Sequence, residues 1–222
     1  MAASASINRE ALENVLAQVR VGVTTAELDE VAYLAITSRG GRPSFLGLYG
    51  YPASICSSLN EEVVHAIPSR TRRLKEGDLL SIDIGTLLDG FHSDMAITVP
   101  VGEVSARDWQ LIEVTRRALG VAIEHCQVGK RVGDVSAVVQ QVIESAGFGV
   151  VKEYVGHGIG TVFHEEPPVP NYGRQGVGPE LLPGLVLAIE PMVTDHPVKL
   201  RTRPDGWAVV SVDGCRSAHF EH

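Results

Sequence analysis

A shift of 107 residues lays the first half of this chain on the second without a break in register. Val21-Gly22 falls on Val128-Gly129, Glu27-Leu28 on Asp134-Val135, and Val31 on Val138. Ile36, Ser38 and Gly40 fall on Ile143, Ser145 and Gly147. Further on, Leu74, Gly77, Leu80 and Ile82 meet Leu181, Gly184, Leu187 and Ile189, and Asp83 meets Glu190, a carboxylate for a carboxylate. One register running through a helical pattern and then a strand pattern reads as a duplication. Each half supplies a helix and then a strand that carries an acid. Two copies are too few for a solenoid, so the expectation is a pseudo-twofold unit. Its site belongs where the halves meet.

Local pattern fills in the elements. Thr24 and Glu27 form a capping box, and the helix they open runs to about Ser38, where Gly40-Gly41 stops it. Further helices are expected over about 9–20, 106–126 and 134–146. Leu79–Ile84 and Phe91–Val99 read as the arms of a hairpin turning at Asp89-Gly90. Leu185–Ile189, Trp207–Val212 and Ser217–Glu221 read as later strands. Interleaved helices and frequent hairpins favour an α+β fold with an antiparallel or mixed sheet and helices packed on its outer face. No linker or low-complexity tract divides the chain, so residues 1–222 are read as a single domain.

A net charge of −8 and the lack of a Lys/Arg stripe argue against a nucleic-acid face. The densest basic run, Arg70, Arg72, Arg73 and Lys75, reads as a solvated turn. Cys56, Cys126 and Cys215 are odd in number and widely spaced, which fits a reducing compartment rather than a disulfide framework or zinc ribbon. The opening MAASASINREAL has no basic region followed by an apolar stretch, and no apolar run nears the ~20 residues a bilayer needs. The expected location is the cytoplasm.

Five residues carry the chemistry: Asp83, Asp94, His157, Glu190 and Glu221. Gathered together, four carboxylates and one imidazole form a hard ligand set for two divalent cations, which could share and activate one water. With Asp89 and Gly90 at the turn, Gly85 faces Asp94, and Asp83 is the diagonal neighbour on the same face. Without compensation, two such carboxylates would raise each other's pKa. Asp83 sits inside LLSIDIGTLL, where exposure is implausible; Asp94 alone could be a turn or surface residue. Glu190 closes the apolar run LVLAI and is followed by Pro191, so it ends a buried strand and needs a metal or an arginine as partner. His157 lies among Gly156, Gly158 and Gly160, where close backbone approach is expected; the alternative is a satisfied polar residue. His164 precedes Glu165, but Pro167 and Pro168 rule out the helix of an H-E-x-x-H zinc motif. It and His65, in VVHAIP, remain acid–base candidates.

These segments, taken together, resemble the type I methionine aminopeptidases, with the pita-bread fold. NEEVVHAIP, SIDIG, DGFHSD, EYVGHGIGTVFHEEP, LAIEPMV, DGW and AHFEH follow in the family's order, and the likeness covers nearly the whole chain. The resemblance implies a metallo-aminopeptidase catalytic domain that removes the initiator methionine from nascent polypeptides with a small second residue, through attack by a metal-bridging hydroxide. It implies Asp83 and Asp94 at one metal, and Asp94, His157, Glu190 and Glu221 at the other, with Glu221 bridging. Glu190 would pass the proton, and His65 and His164 would contact the scissile amide and the developing oxyanion. Tyr51, Cys56, Phe163 and Trp207 would line the methionine pocket with His65 and His164, a soft thiol and aromatic walls suiting a thioether. The metals implied are Co, Mn, Fe or Zn. The partners implied are nascent N-termini, with transient ribosome contact, and the default state is a monomer.

The chain departs from the family at four points, one of them a start that is short of the family's usual first helix. Ala66 replaces the glycine usual after His65. Met95 follows Asp94 where a small hydroxyl residue is common, which removes a hydrogen bond from the ligand. The sequence ends at His222, one residue after Glu221, a position where a terminal ligand would be expected to fray. Two other readings stand beside the first: a prolidase or Xaa-Pro aminopeptidase on the same fold, and a non-catalytic relative that binds peptides or ribosomes.

Overall fold

The duplication reappears as backbone hydrogen bonds in the computed structural model, which describes residues 1–222. Gly22 N–H donates to the Leu74 carbonyl at 2.8 Å, and Gly129 N–H to the Leu181 carbonyl at 3.2 Å. Leu74 N–H returns to Val23, and Leu181 N–H to Lys130, each at 2.8 Å. Thr24 bridges Arg73, and Arg131 bridges Glu180. Every one of these contacts has its twin at the offset read from the sequence.

The first half runs α1 (Ala2–Leu16), α2 (Thr25–Thr37), β1 (Arg42–Pro43), β2 (Ile55–Leu59), β3 (Glu62–Val64), β4 (Asp78–Leu88) and β5 (Phe91–Val101). The second runs α3 (Ala106–His125), α4 (Val132–Ser145), β6 (Gly149–Val150), β7 (Gly156–Gly158), β8 (Glu165–Val169), β9 (Leu187–Ala188), β10 (Met192–Thr194), β11 (Leu200–Thr202), β12 (Val209–Ser211) and β13 (Ser217–His219). No helix is long and apolar enough to cross a membrane. Every strand pairing is antiparallel: β1-β4-β2 with β5 on β4, β13-β10-β6, β11-β12-β3, and β8-β7-β9.

The helices begin and stop where local chemistry dictates. Thr24 Oγ1 accepts from Glu27 N–H while Glu27 Oε2 accepts from Thr24 N–H, so the expected capping box is complete. At the equivalent helix the Asp134 carboxylate accepts from Arg131 N–H, and an arginine side chain has no oxygen with which to reciprocate. Gly40 and Gly147 end α2 and α4 with φ of 80° and 78°, a conformation that favours glycine. The first helix departs from expectation: it covers 2–16, not 9–20. Its early start is tied down by Ser4 Oγ, which donates to the Thr86 carbonyl, and by Asn8 Nδ2, which donates to the Ile84 carbonyl. These polar side chains are fully buried against the hairpin, where a hydrophobic pattern alone does not place them.

Each helix pair packs on strands of its own half. Ala11, Val15, Leu28 and Ile36 pack on Ile55, Leu80, Ile82 and Ile84; Leu111, Ala118, Val139 and Ile143 pack on Val193, Ala218 and Phe220. Burying one such large aliphatic side chain stabilises the fold by about 1.5–3 kcal/mol. The faces of β4 and β5 turned away from the first helix pair carry the acids. The basic run is anchored rather than merely solvated: Arg72 and Arg203 both pair with buried Glu62, and Arg73 Nη1 donates to the Gly22 carbonyl.

Candidate metal centre

Strand register brings the acids together. In the β4–β5 ladder Gly85 faces Asp94, as the turn at Asp89-Gly90 requires, and Asp83 faces Ala96. Ala96 also bridges Glu221 on its other side, with Glu221 N–H donating to Ala96 at 2.9 Å. Directly paired residues point to one face of a sheet, and so do residues two apart on a strand. Asp83, Asp94 and Glu221 therefore share a face. Glu221 does not fray: it is 2% exposed, and His222 exchanges backbone hydrogen bonds with Ile189 at 3.0 and 3.2 Å.

The second half closes the site. Glu190 lies in the break between β9 and β10, where Pro191 has no N–H to continue a ladder, and Asn171 Nδ2 holds its carbonyl at 3.0 Å. His157 sits on β7, where a side chain at Gly156 or Gly158 would strike the backbone of Ala188 or Glu166. His157 Nδ1 donates to the Gly158 carbonyl at 2.8 Å. That bond fixes the proton on Nδ1 and turns Nε2 towards the acids, 4.0 Å from Asp94 Oδ2 and 3.8 Å from Glu190 Oε1. The side chains of Asp94, Glu190 and Glu221 are 5, 14 and 2% exposed.

These carboxylates have no cationic partner. None forms an ion pair with Lys or Arg, which removes the arginine alternative for Glu190; only histidines approach them. Burial pushes the Asp83 carboxyl up to about 7. Burial, and then the neighbouring acids, push Asp94, Glu190 and Glu221 well above the carboxylate range. Asp83 Oδ1 and Glu221 Oε1 are buried with no hydrogen-bond partner. Oxygens left this way are costly unless a positive group sits among them, and the donor set fits a divalent cation. Asp94, His157 and Glu221 present ligand atoms within 4.8 Å of one another, close enough to share one ion. The hydrogen bond expected to be missing beside Asp94 is replaced by the backbone: Met95 N–H donates to Asp94 Oδ1 at 3.0 Å.

A cavity of about 170 Å³ opens from the acids. Tyr51, Cys56, His65, Phe163, His164 and Trp207, singled out from the sequence, all line it together with the five acid-cluster residues. Its wall is an aromatic lattice: Tyr51 meets Trp207 edge-on at 5.0 Å, and Phe45 meets Phe163 at 5.4 Å. The Tyr51 hydroxyl lies 3.1 Å from the Ile55 and Ala66 carbonyls, so it is turned into the backbone and the ring faces the cavity. Burial, and next the adjacent Asp83, keep the Cys56 thiol well above its ordinary pKa, so it stays a neutral, soft group. Gly85 makes room for this wall: a Cβ there would lie 2.9 Å from Ser44 Cβ and 3.0 Å from Phe163 Cε2.

Two further histidines, His65 and His164, line the cavity. His65 has a φ of +62°, a strained value for a residue with a side chain, and meets Tyr154 edge-on at 5.4 Å. His164 stacks on Tyr49 and lies 4.4 Å, centre to centre, from the His157 ring. Burial, then the His157 and His65 rings, lower the His164 pKa to about 4, so it is neutral at pH 7. Phe45, Tyr49 and Tyr154 escaped sequence reasoning, although Tyr154 lies in the EYVGHGIG segment. His219 escaped it too. It is 1% exposed, and its Nε2 lies 3.8 Å from both Glu190 Oε2 and Glu221 Oε2. Its signal was the strand alternation that puts residue 219 on the same face as residue 221.

Comparison with known proteins adds a third line. The model of metallopeptidase family M24 matches residues 1–222. The chain is 49% identical over 213 residues to a methionine aminopeptidase of Clostridium perfringens (strain 13 / Type A), covering 96% of this chain and 85% of that one. Its structure is similar to that of methionine aminopeptidase from Rickettsia prowazekii, with TM-score 0.95 and 37% identity over 97% of this chain and 87% of that one. It is also similar to methionine aminopeptidase from Thermotoga maritima, with TM-score 0.93 and 41% identity over 99 and 87%.

Proposed function

The chain belongs to metallopeptidase family M24, in its methionine aminopeptidase branch, and from that premise we propose the chemistry its site performs. It hydrolytically removes the initiator methionine from polypeptides with a small second residue, and it depends on divalent metal. One observation carries this reading: a buried set of carboxylates and imidazole, without Lys or Arg, closes one end of an aromatic cavity that a methionine side chain suits.

Asp83, Asp94, His157, Glu190 and Glu221 would hold two divalent cations, chosen among Mn, Fe, Co and Zn. Bound there, the cations lower the pKa of a water and polarise the scissile carbonyl. The protein does the rest. Tyr51, Cys56, Phe163 and Trp207 enclose the thioether and exclude water from it. A Glu190 carboxylate oxygen takes the proton of the attacking water and returns it to the departing amine. His164, neutral at pH 7, donates a ring N–H to the oxygen that gains charge without adding a positive charge beside the cations. His65, whose pKa burial also lowers, contacts the amide.

The same proposal extends to the setting: nascent N-termini met in the cytoplasm, at or near the ribosome, by a monomer. Three free thiols support a reducing compartment. The test is methionine release from a Met-Ala-Ser peptide by metal-stripped protein resupplied with Mn, Co, Fe or Zn, alongside Leu-Ala-Ser. Metal-dependent release from the first peptide alone is the expected result; no release with any metal overturns the proposal.

A further inference from the structure

His219 stands in the acid cluster without an assigned task. Its side chain is 2% exposed, and its Nε2 is buried with no hydrogen-bond partner. That atom is aimed between two carboxylates, 3.8 Å from Glu190 Oε2 and 3.8 Å from Glu221 Oε2, too far for a hydrogen bond to either. Glu190, His219 and Glu221 present ligand atoms that all lie within 4.8 Å of one another. This triad shares Glu221 with the triad of Asp94, His157 and Glu221.

The strands account for this placement. His219 lies two residues before Glu221, on the same face, and pairs with Met192, two residues after Glu190, whose carboxylate turns back to within 3.8 Å of its Nε2. Its main chain is fixed by Thr98: His219 N–H donates to Thr98 Oγ1 at 2.8 Å, and Thr98 Oγ1 donates to the His219 carbonyl at 3.0 Å. The ring therefore cannot slide along the strand towards one acid. If it served only as a hydrogen-bond donor to a carboxylate, it would sit about 2.7–2.9 Å from one of them. Equal spacing at the larger distance leaves room for an ion with bonds of about 2.0–2.2 Å to nitrogen and oxygen.

Resting on the metal-centre reading above, we propose that His219 Nε2 is a direct metal ligand, giving this centre a second imidazole beside His157. Two imidazoles shift the donor set towards softer ions, so His219 is expected to favour Co, Fe and Zn over Mn.

The experiment loads the full-length chain with cobalt(II) and counts the strongly shifted, solvent-exchangeable imidazole N–H resonances in its proton NMR spectrum. It is run in a His196→Ala background, which disables the exposed group of His196, Asp213 and Cys215 as a competing cobalt site. Two resonances are expected, falling to one in His219→Gln, with cobalt affinity by calorimetry reduced at least about tenfold. A single resonance, unchanged in His219→Gln, overturns the ligand role and leaves the metal centre standing on His157. No shifted resonance and no cobalt retained overturns both. The first count needs no substitution at residue 219, so a poorly folded variant does not shelter the proposal.

Discussion

Asp83 and Glu221 sit on opposite sides of Ala96: one pairs with it across the β4–β5 ladder, the other through an isolated bridge. A methyl group is all that occupies the strand position between two acids of the cluster, one from each half of the chain. Ala96→Leu extends a side chain into that space. Its expected result is a drop in metal affinity of more than about tenfold by calorimetry, with a thermal destabilisation of about 1–3 kcal/mol from overpacking. Unchanged affinity would show that the cations lie away from this face.

Glu190→Gln keeps the shape of the side chain and removes its basicity. Methionine release is expected to fall by about 10²–10⁴-fold. Far-UV circular dichroism is expected to be unchanged, because the Glu190 backbone remains held by Asn171. Turnover near that of the parent protein removes Glu190 from proton transfer.

The acids also set a pH signature. Burial raises the folded pKa of Asp83 to about 7 and drives Asp94, Glu190 and Glu221 upward. An unfolded carboxyl titrates near about 4, so between there and the folded values the native state binds more protons than the unfolded state. Metal-free protein is therefore expected to lose stability as pH rises through about 7. Metal binding needs the deprotonated acids and reverses the trend. The gap in Tm between metal-loaded and stripped protein is expected to widen from pH 5 to pH 9; a constant gap would contradict the assignment of these acids as ligands.

Much of this was legible because it is local. A capping box needs four residues, and the hairpin register follows from one turn, so Thr24, Gly85 and Asp94 fell where the sequence pattern put them. Asp83 and Glu190 stood out because charge inside apolar runs has few explanations, and His157 because glycines flank it on both sides. Long-range choices were harder to see. Ser4 and Asn8 give no apolar signal for a helix before about residue 9, and their role shows only with the hairpin carbonyls of Thr86 and Ile84 beneath them. The apolar run Leu185–Ile189 reads as one strand, yet only Leu187–Ala188 ladders with β7, and Ile189 turns its backbone hydrogen bonds to His222 instead. His219 hid because a histidine beside a glutamate in a short strand looks ordinary until Glu190 arrives from another element.

Gly85→Ala tests the pocket rather than the metals. The added methyl meets Ser44 Cβ and Phe163 Cε2 at 2.9 and 3.0 Å, so Phe163 must move. The expected outcome is a raised KM for Met-Ala-Ser with metal affinity retained, and a stability loss of about 1–3 kcal/mol. An unaltered KM would place methionine elsewhere in the cavity.

Thr24→Ala removes the hydroxyl of the first capping box, which accepts from Glu27 N–H. A loss of about 1 kcal/mol is expected by urea titration, with kcat unchanged, since Leu28 and Ile36 of α2 pack on Ile55, Leu80, Ile82 and Ile84, on the face of the sheet away from the acids.

The bridge between Ala96 and Glu221 also orders events in time. During synthesis the first half emerges with Asp83 and Asp94 alone, before His157, Glu190 and Glu221 exist to join them. The cluster is complete only once residue 221 lies beside Ala96. The acid cluster therefore belongs to neither half of the chain alone: without Glu221 beside Ala96, Asp83 and Asp94 lack one wall of it.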